Sequence, residues 1–530
     1  MLRGRHGAGG RRARAASGGA AGGSAADELR GVQPRPRGPS VSLLAAHRIV
    51  SRPAPAFNLS GREAAAAALQ RALHRGEFAS EHLRRLREEG RLEQREAALA
   101  VQIALCALRH ALTIDHILSR VAAYDRRRVP LRLRVLLYTA ACQIIWMNRI
   151  PEFAAVDEAV ELARRRVGRA ASTMVNAVLR SLTGAMAQQR TAWQRLNARQ
   201  VRVSWGQACA FGVDVLPAAQ TRADRLAHLA VATGLRRSHF RRWVQRYGEQ
   251  AAEAAAWASQ AVPPIVVHRN PLRVEPDSFA AGVQEAFGEM AVCTADVAFL
   301  PGGANVAALP LLRQGGAFVQ DVTAHRAALA VGAQPGERIL DLCAAPGGKA
   351  VALALQMQDR GQVIACDTVR ERLARVAENA ARMGLSCIHT RHLPQDAEAR
   401  PPADLHDACD AALVDVPCAN TGVLARRPEA RFGLTPVKLR SLARLQGRLL
   451  RRAAACVRPG GRLVYSTCSL EPEENEQIVA AFVRQPEPPQ SRGGRTWQTV
   501  SQETALPAWG ARLADWRDGG YTAVLRRAPM

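Results

Sequence analysis

The sequence predicts an α/β chain: a doubly wound sheet domain at the carboxyl end, an all-helical domain at the amino end, and a small α/β insert between them. Three observations carry this. GERILDLCAAPGGKAVALALQ (336–356) reads as a turn, an apolar strand, a glycine-rich loop and a helix. Two later apolar runs, DAALVDVPCANTG and GGRLVYSTCSLEPEENE, read as further strands ending in turn-forming, polar residues. From 60 to 185, apolar residues recur at helical spacing instead. The expected division is a disordered basic arm over 1–40, a helical domain over 41–190, a helical connector over 191–262, a small α/β region over 263–325 and the sheet domain over 326–530.

The arm is rich in Gly, Ala and Arg and holds too few large apolar residues to offset its ordering entropy. The helical domain follows as REAAAAALQRALHRG, EQREAALAVQIALCALRHALTIDHIL and VPLRLRVLLYTAACQIIWM, the last apolar nearly throughout, as a central helix would be. AAVDEAVELARRRV then runs to a glycine break, after which Ser172 or Thr173 is a candidate cap for STMVNAVLRSL. In the connector, Trp243 and Tyr247 lie among arginines in RRSHFRRWVQRYG, where packing is the simpler expectation. From PPIVVHRNPLR to about 320, strand-like runs alternate with the helix-like SFAAGVQEAFG.

Composition narrows the function classes. A length of 530 residues implies several domains, and 48% hydrophobic residues allow sizeable cores. The net charge of +27 favours a polyanionic partner, because each phosphate neutralised releases counterions. Only Lys349 and Lys438 are lysines; a codon bias explains Arg over Lys, but not basic over acidic. With only 5% aromatic residues, stacking platforms should be scarce and RNA contacts should rest on arginine. Eleven cysteines without a C-x-x-C pair or a Cys/His cluster argue against a disulfide framework and a metal site, and for a reducing cytoplasm. No uncharged apolar run of membrane-spanning length is visible, so no membrane partner is expected.

The chemistry is expected at the carboxyl ends of the strands, where open α/β sheets bind ligands. Gly347 and Gly348 let backbone approach a ligand closely at a helix N-terminus. The strand QVIACD ends at Asp367, about twenty residues on, where a carboxylate meets a ribose diol. The loop lacks G-x-G-x-x-G, so S-adenosylmethionine is preferred to NAD. Cysteine is usually a small buried hydrophobe, the reading kept for Cys106, Cys142, Cys343 and Cys366. Cys418 and Cys468 differ, since their neighbours take them out of a core strand. A methyl transfer to carbon 5 of cytosine needs such a thiol: thiolate attack at C6 moves electron density onto an otherwise poor nucleophile. Asp415 is a candidate acid near N3 or N4, and Lys349 a candidate for raising the thiolate fraction. Spacing alone does not say which cysteine attacks.

LRLRVLLYTAACQI, IPEFAAVDEAVELAR and MVNAVLR, in that order, resemble the RNA-binding fold of the NusB antitermination family. Arg164, Arg165, Arg166 and Arg169 then become candidate phosphate contacts. LDLCAAPGGK, DVPCANTG and YSTCSLEPEENE, with GAFVQDVTA before them, resemble the Sun/Fmu-type (RsmB) ribosomal RNA cytosine-5 methyltransferases, whose architecture places a NusB-like domain first. That resemblance implies a Rossmann-like class I methyltransferase domain, S-adenosylmethionine as cofactor, small-subunit (16S) ribosomal RNA as partner and a monomer. It implies that Cys343, Ala344, Ala345, Pro346, Gly347, Gly348 and Lys349 line the cofactor loop, with Asp367 on the ribose, Asp396 near the adenine and Asp415 between cofactor and base. It makes Cys468 the nucleophile and Cys418 the residue that helps release product. Transfer RNA as substrate, or a non-enzymatic RNA-binding factor, are the alternatives. Departures from the family pattern are Val416, Ala419 and Asn420 beside Cys418, His268 where Arg is common at an RNA-contacting position, and Gly520 in place of an aromatic, where looser packing is expected.

Overall fold

The computed structural model describes residues 59–394, 401–484 and 496–529; the arm 1–40 and Asp396 lie outside them. Six helices come first: α1 (Gly61–Arg75), α2 (Ala79–Glu88), α3 (Gln94–Val121), α4 (Leu131–Trp146), α5 (Glu152–Arg166) and α6 (Arg169–Ala185). A reciprocal capping box opens α1, with the Ser60 hydroxyl accepting from the Glu63 amide while the Glu63 carboxylate accepts from the Ser60 amide. The 28-residue α3 is long and apolar enough to cross a membrane, but it packs as the centre of the bundle against α1, α2, α4 and α6. Helix α6 starts at Arg169 after Gly168, so Ser172 and Thr173 do not cap it; both hydroxyls donate to the Arg169 carbonyl inside the first turn.

The connector differs from the all-helical expectation. It opens with a three-stranded antiparallel sheet in the order β1-β3-β2, made of β1 (Met186–Ala192), β2 (Gln200–Ser204) and β3 (Gln207–Phe211). These strands are short, β1 is polar at its centre and β3 (QACAF) does not alternate, so the period-2 signal is weak, and their clearest mark is the two-residue turn Trp205-Gly206 with Gly206 at φ +73°. Three helices follow: α7 (Arg222–Ala232), α8 (Arg237–Tyr247) and α9 (Glu249–Ala258). Trp243 on α8 is buried.

The small α/β region comprises β4 (Ile265–Arg269), α10 (Pro276–Phe287), β5 (Val292–Cys293), β6 (Val297–Leu300), the single turn α11 (Pro310–Arg313) and β7 (Ala317–Val319), paired as β5-β6-β4-β7. His268 is buried in this sheet, stacked 4.1 Å from the His325 ring with Nε2 3.0 Å from the Gln320 carbonyl, so it faces the interior rather than a ligand surface.

The last domain contains α12 (Val322–Leu329), β8 (Arg338–Asp341), α13 (Gly348–Gln356), β9 (Gln362–Asp367), α14 (Arg370–Met383), β10 (Ile388–His392), β11 (Cys409–Asp415), the turn α15 (Ala430–Gly433), α16 (Pro436–Ala454), β12 (Val457–Thr467), α17 (Glu476–Arg484), β13 (Trp497–Ala505) and β14 (Gly520–Arg527). Its seven strands run β10-β9-β8-β11-β12-β14-β13, the first five parallel and β14 antiparallel to both neighbours. Chain order reverses between β8 and β11, which opens a crevice at their carboxyl ends. Apolar clusters cover both faces of this sheet. Gly520 sits in a tight place: a Cβ there would lie 2.8 Å from the Thr467 carbonyl oxygen. The missing aromatic leaves no slack, because backbone fills the space.

Candidate active site

The carboxyl ends of β8, β9 and β11 bring Asp341, Asp367 and Asp415 to one rim. The loop Leu342–Gly347 crosses it, pinned by the Ala344 amide on the Cys366 carbonyl (2.8 Å), and by Arg372 and Asn379, which donate to the carbonyls of Ala345 and Pro346. Cys343 lies in this loop, its thiol pushed up by desolvation and then by the three carboxylates. Gly347 sits at φ +106° with its missing Cβ 3.2 Å from Val376 Cα, so both conformation and space demand glycine. Asp367 accepts from the Val369 amide at 3.0 Å.

Lys349, on the first turn of α13, donates to the Asp415 carboxylate at 2.6 Å. Burial would lower its pKa, but Asp415, Asp341 and Cys468 outweigh that and keep it an ammonium. Asp341 is fully buried, and neither of its carboxyl oxygens has a hydrogen-bond partner. Burial raises it to about 7 against the pull of Lys349, with Asp415 and Asp367 adding to the rise. Three carboxyls against the Lys349 ammonium and the Arg372 guanidinium, 3.7 Å from Asp367, still leave the cleft suited to a cationic ligand, and the glycine loop leaves backbone room beside it. A sulfonium- and ammonium-bearing nucleoside fits this donor set.

The thiols lie beyond the next strand ends. Cys468 follows β12 and Cys418 lies three residues past β11, with their sulfurs 3.0 Å apart. Cys468 is half-buried and donates to Asn420 Oδ1 at 3.2 Å, while Cys418 is buried. Contact with Cys468, and then burial, push the Cys418 thiol well up. Cys418 therefore keeps its proton and can donate it toward the half-buried Cys468 sulfur.

Residues not singled out in the sequence hold the pair together. Glu474 Oε1 accepts from the Ala419 amide and from Gln446 Nε2, both at 2.9 Å, and its Oε2 accepts from the Ser469 hydroxyl at 2.5 Å. One buried carboxyl thus ties the Cys418 loop to the Cys468 loop. Thr421 receives the Leu470 amide at 2.8 Å, and the Gly422 amide donates to the Cys468 carbonyl at 2.9 Å. Asn420, a departure from the family pattern, adopts a left-handed φ of +60° and bridges the Cys418 carbonyl and the Cys468 thiol. The signal available was the acidic run after Cys468, but nothing in a single sequence says which of its glutamates turns inward.

Helices outside the sheet domain clamp the same loops. On α8, Arg242 pairs with Glu471 and Glu473 at 2.8 Å, and Tyr247 donates to the Leu470 carbonyl at 2.7 Å. Arg431, buried on α15, donates to the carbonyls of Arg109 (2.7 Å), Gly234 (3.1 Å) and Ser259 (3.0 Å), while Arg109 on α3 donates to Ala425 at 2.8 Å. Of the arginine cluster on α5 and α6, Arg165 and Arg166 lie 3.2 Å and 3.7 Å from Glu63, and Arg164 lies 2.8 Å from Glu161. Among the described residues, no group of three or more potential metal ligands occurs.

Residues 328–505 match the family described as 16S rRNA methyltransferase RsmB/F, and residues 60–183 match the NusB family. The chain is 28% identical to a probable ribosomal RNA small subunit methyltransferase B of Synechocystis over 80% of this chain and 89% of that one. It is 27% identical to the corresponding probable enzyme of Bacillus subtilis (74% and 81%), and 28% identical to the ribosomal RNA small subunit methyltransferase B of Pseudomonas syringae (79% and 84%). Its fold is similar to the crystal structure of PH0851, with a TM-score of 0.63 and 20% identity over 88% of this chain and 99% of that one. The sheet domain is an S-adenosylmethionine-dependent methyltransferase domain of Rossmann-like fold, behind a NusB-type helical domain.

Proposed function

We propose that this chain, whose residues 328–505 belong to the RsmB/F methyltransferase family and whose residues 60–183 belong to the NusB family, forms 5-methylcytosine in small-subunit ribosomal RNA through a covalent adduct on Cys468. The observation that carries the cytosine reading is the pair of thiols 3.0 Å apart at the rim of the cofactor cleft. Transfer to a ring nitrogen or an exocyclic amine needs no thiol, whereas carbon 5 needs covalent activation.

S-adenosylmethionine supplies the methyl group. The loop from Cys343 through Ala344, Ala345, Pro346, Gly347 and Gly348 would hold it, with Asp367 on its ribose and Asp341 facing its positive charge. Asp396, outside the described residues, is the candidate for the adenine end. The Cys468 thiolate attacks C6, forming a C–S bond while the electron pair shifts toward C5 and N3. Asp415, sharing a proton with Lys349 at 2.6 Å, would pass that proton to N3 as the electron pair arrives there. After methyl transfer a solvent water takes the C5 proton, the electron pair of that C–H bond restores the ring double bond, and the C6–S bond breaks to return the Cys468 thiolate. Cys418, buried and protonated beside the leaving sulfur, assists that elimination. The different exposures of the two thiols support this division: the accessible one attacks and the sheltered one manages the proton. The arginines of α5 and α6 are candidate phosphate contacts, and the enzyme acts as a cytoplasmic monomer.

The test is a pair of variants assayed on ribosomal RNA. Cys468→Ala should abolish methyl transfer and form no adduct. Cys418→Ala should accumulate a protein–RNA adduct that survives denaturation. An adduct in the Cys468 variant would reverse the assignment.

A further inference from the structure

None of the residues assigned to the cofactor and the thiols lines a second, aromatic cavity elsewhere in the molecule. That cavity, of about 680 Å³, lies between α3, the β1–β3 sheet and the loop before β14. Its volume is that of a small-ligand site. Five of the chain's eight tryptophans line it: Trp146, Trp205, Trp257, Trp509 and Trp516. In a chain with 5% aromatic residues, that concentration is far from random scatter. Trp146 stacks on His110 at 3.8 Å and 11°. The Arg202 guanidinium lies 4.9, 5.1 and 4.4 Å from the ring centroids of Trp205, Trp257 and Trp509, which locks this wall by cation–π contact.

The polar groups of the lining are as telling. His110 Nδ1, Trp257 Nε1, Trp516 Nε1 and Gln260 Oε1 are buried without a hydrogen-bond partner, and each belongs to a side chain more than nine-tenths buried that lines the cavity. Native interiors rarely leave such groups unmet. Two indole donors, one amide acceptor and one imidazole nitrogen stand unmet within the wall, behind the rings that offer a nucleobase's faces flat surfaces. The basic balance of the chain favours a base carried on a polyanionic strand.

We propose that this aromatic cavity is a second base-binding pocket, which takes one unpaired nucleobase of the RNA strand away from the cytosine being modified. It rests on the reading of RNA as substrate but not on the covalent chemistry. Holding a distant base would fix the register in which the strand reaches Cys468.

Binding to full-length protein is followed by tryptophan fluorescence, using an unstructured RNA dodecamer, the four ribonucleoside monophosphates and ribose 5-phosphate. Two variants probe the walls: Trp205→Ala, at the turn between β2 and β3, and Val262→Glu, at an exposed lining position. The dodecamer should quench the fluorescence, and both variants should weaken its binding about tenfold, the scale of one lost base stack. Their affinity for S-adenosylmethionine should stay unchanged, which shows that the fold is intact. Monophosphates that bind as tightly as the dodecamer would make this a free-nucleotide site and overturn the strand reading. Wild-type RNA affinity in both variants would overturn the pocket altogether. Pocket-dependent RNA binding without methyl transfer would instead sink the proposed reaction and leave the pocket standing.

Discussion

At the scale of single residues, Asp341 carries the heaviest electrostatic load in the cofactor cleft. It has no hydrogen-bond partner, and burial raises it to about 7, with Asp415 and Asp367 adding to the rise. An unfolded aspartate titrates near ~4, so the native state binds this proton more tightly than the unfolded state does. Stability from this group is therefore greatest in acid, falls as pH rises from ~4 to 7, and stays level above that. Asp341→Asn should lack the fall. In urea unfolding followed across pH, wild type and variant should agree near ~4 and diverge by on the order of 2–4 kcal/mol above 7, the variant being the more stable. Parallel curves would show that Asp341 is ionised at no cost. Binding a cation beside it relieves the same cost, which is why a cofactor site tolerates it. Position at a strand end made Asp367, Asp415 and Cys468 legible in the sequence, and Asp341 has that same position. Its burial without a partner is tertiary information.

At the scale of elements, the loop from Cys418 to Gly433 is shaped by parts of the chain remote in sequence. Arg431 at its end spans carbonyls of α3, the α7–α8 turn and the end of α9, and burial, followed by Arg109, pushes its pKa down to about 9, so it stays cationic. Gly234, at φ +61°, is required there, because a Cβ would lie 2.6 Å from the Arg109 carbonyl oxygen. Arg431→Met leaves five buried carbonyls, those of Pro428, Arg109, Thr233, Gly234 and Ser259, without that donor, at roughly 3 kcal/mol or more. It should lower the melting temperature and cut methyl transfer sharply, while S-adenosylmethionine binding stays near wild type because the glycine loop is untouched. Arg431→Lys should recover only part, since an ammonium cannot fork across carbonyls on three elements. Equal losses of cofactor affinity and turnover would mean that the loop is not the element disturbed. The same contrast explains what the sequence disclosed. Helices α1–α6 and strands β8, β9, β11 and β12 announce themselves by period and by punctuation. The β1–β3 sheet does not, because its strands are short and do not alternate, and are held by pairing and by the tryptophan wall. The arginine staples are invisible in sequence: a buried Arg431 and a half-buried Arg427 look alike until the helices dock.

At the scale of the molecule, the excess of +27 and the aromatic cavity make different demands on RNA binding. Arginine–phosphate contacts release counterions, so their contribution falls steeply with salt; six to ten such contacts would cost about 10³–10⁵ in affinity between 50 and 200 mM. Several of the α5–α6 arginines are already committed to Glu63 and Glu161, which lowers the number available. The expected loss over that range is therefore nearer to hundredfold for ribosomal RNA, while S-adenosylmethionine affinity hardly moves, because its cleft gains nothing from counterion release. Base stacking is far less salt-sensitive, so Trp205→Ala should lower RNA affinity at every salt concentration and leave the slope of log affinity against log salt unchanged. Replacing Arg169, which pairs with neither Glu63 nor Glu161, should do the reverse, flattening that slope by about one while costing little at high salt. Filter binding of wild type and both variants across a salt series separates the two contributions. A flat wild-type slope would remove the electrostatic role of the basic excess, and a slope altered in Trp205→Ala would mean that the tryptophan wall acts through phosphates rather than a base.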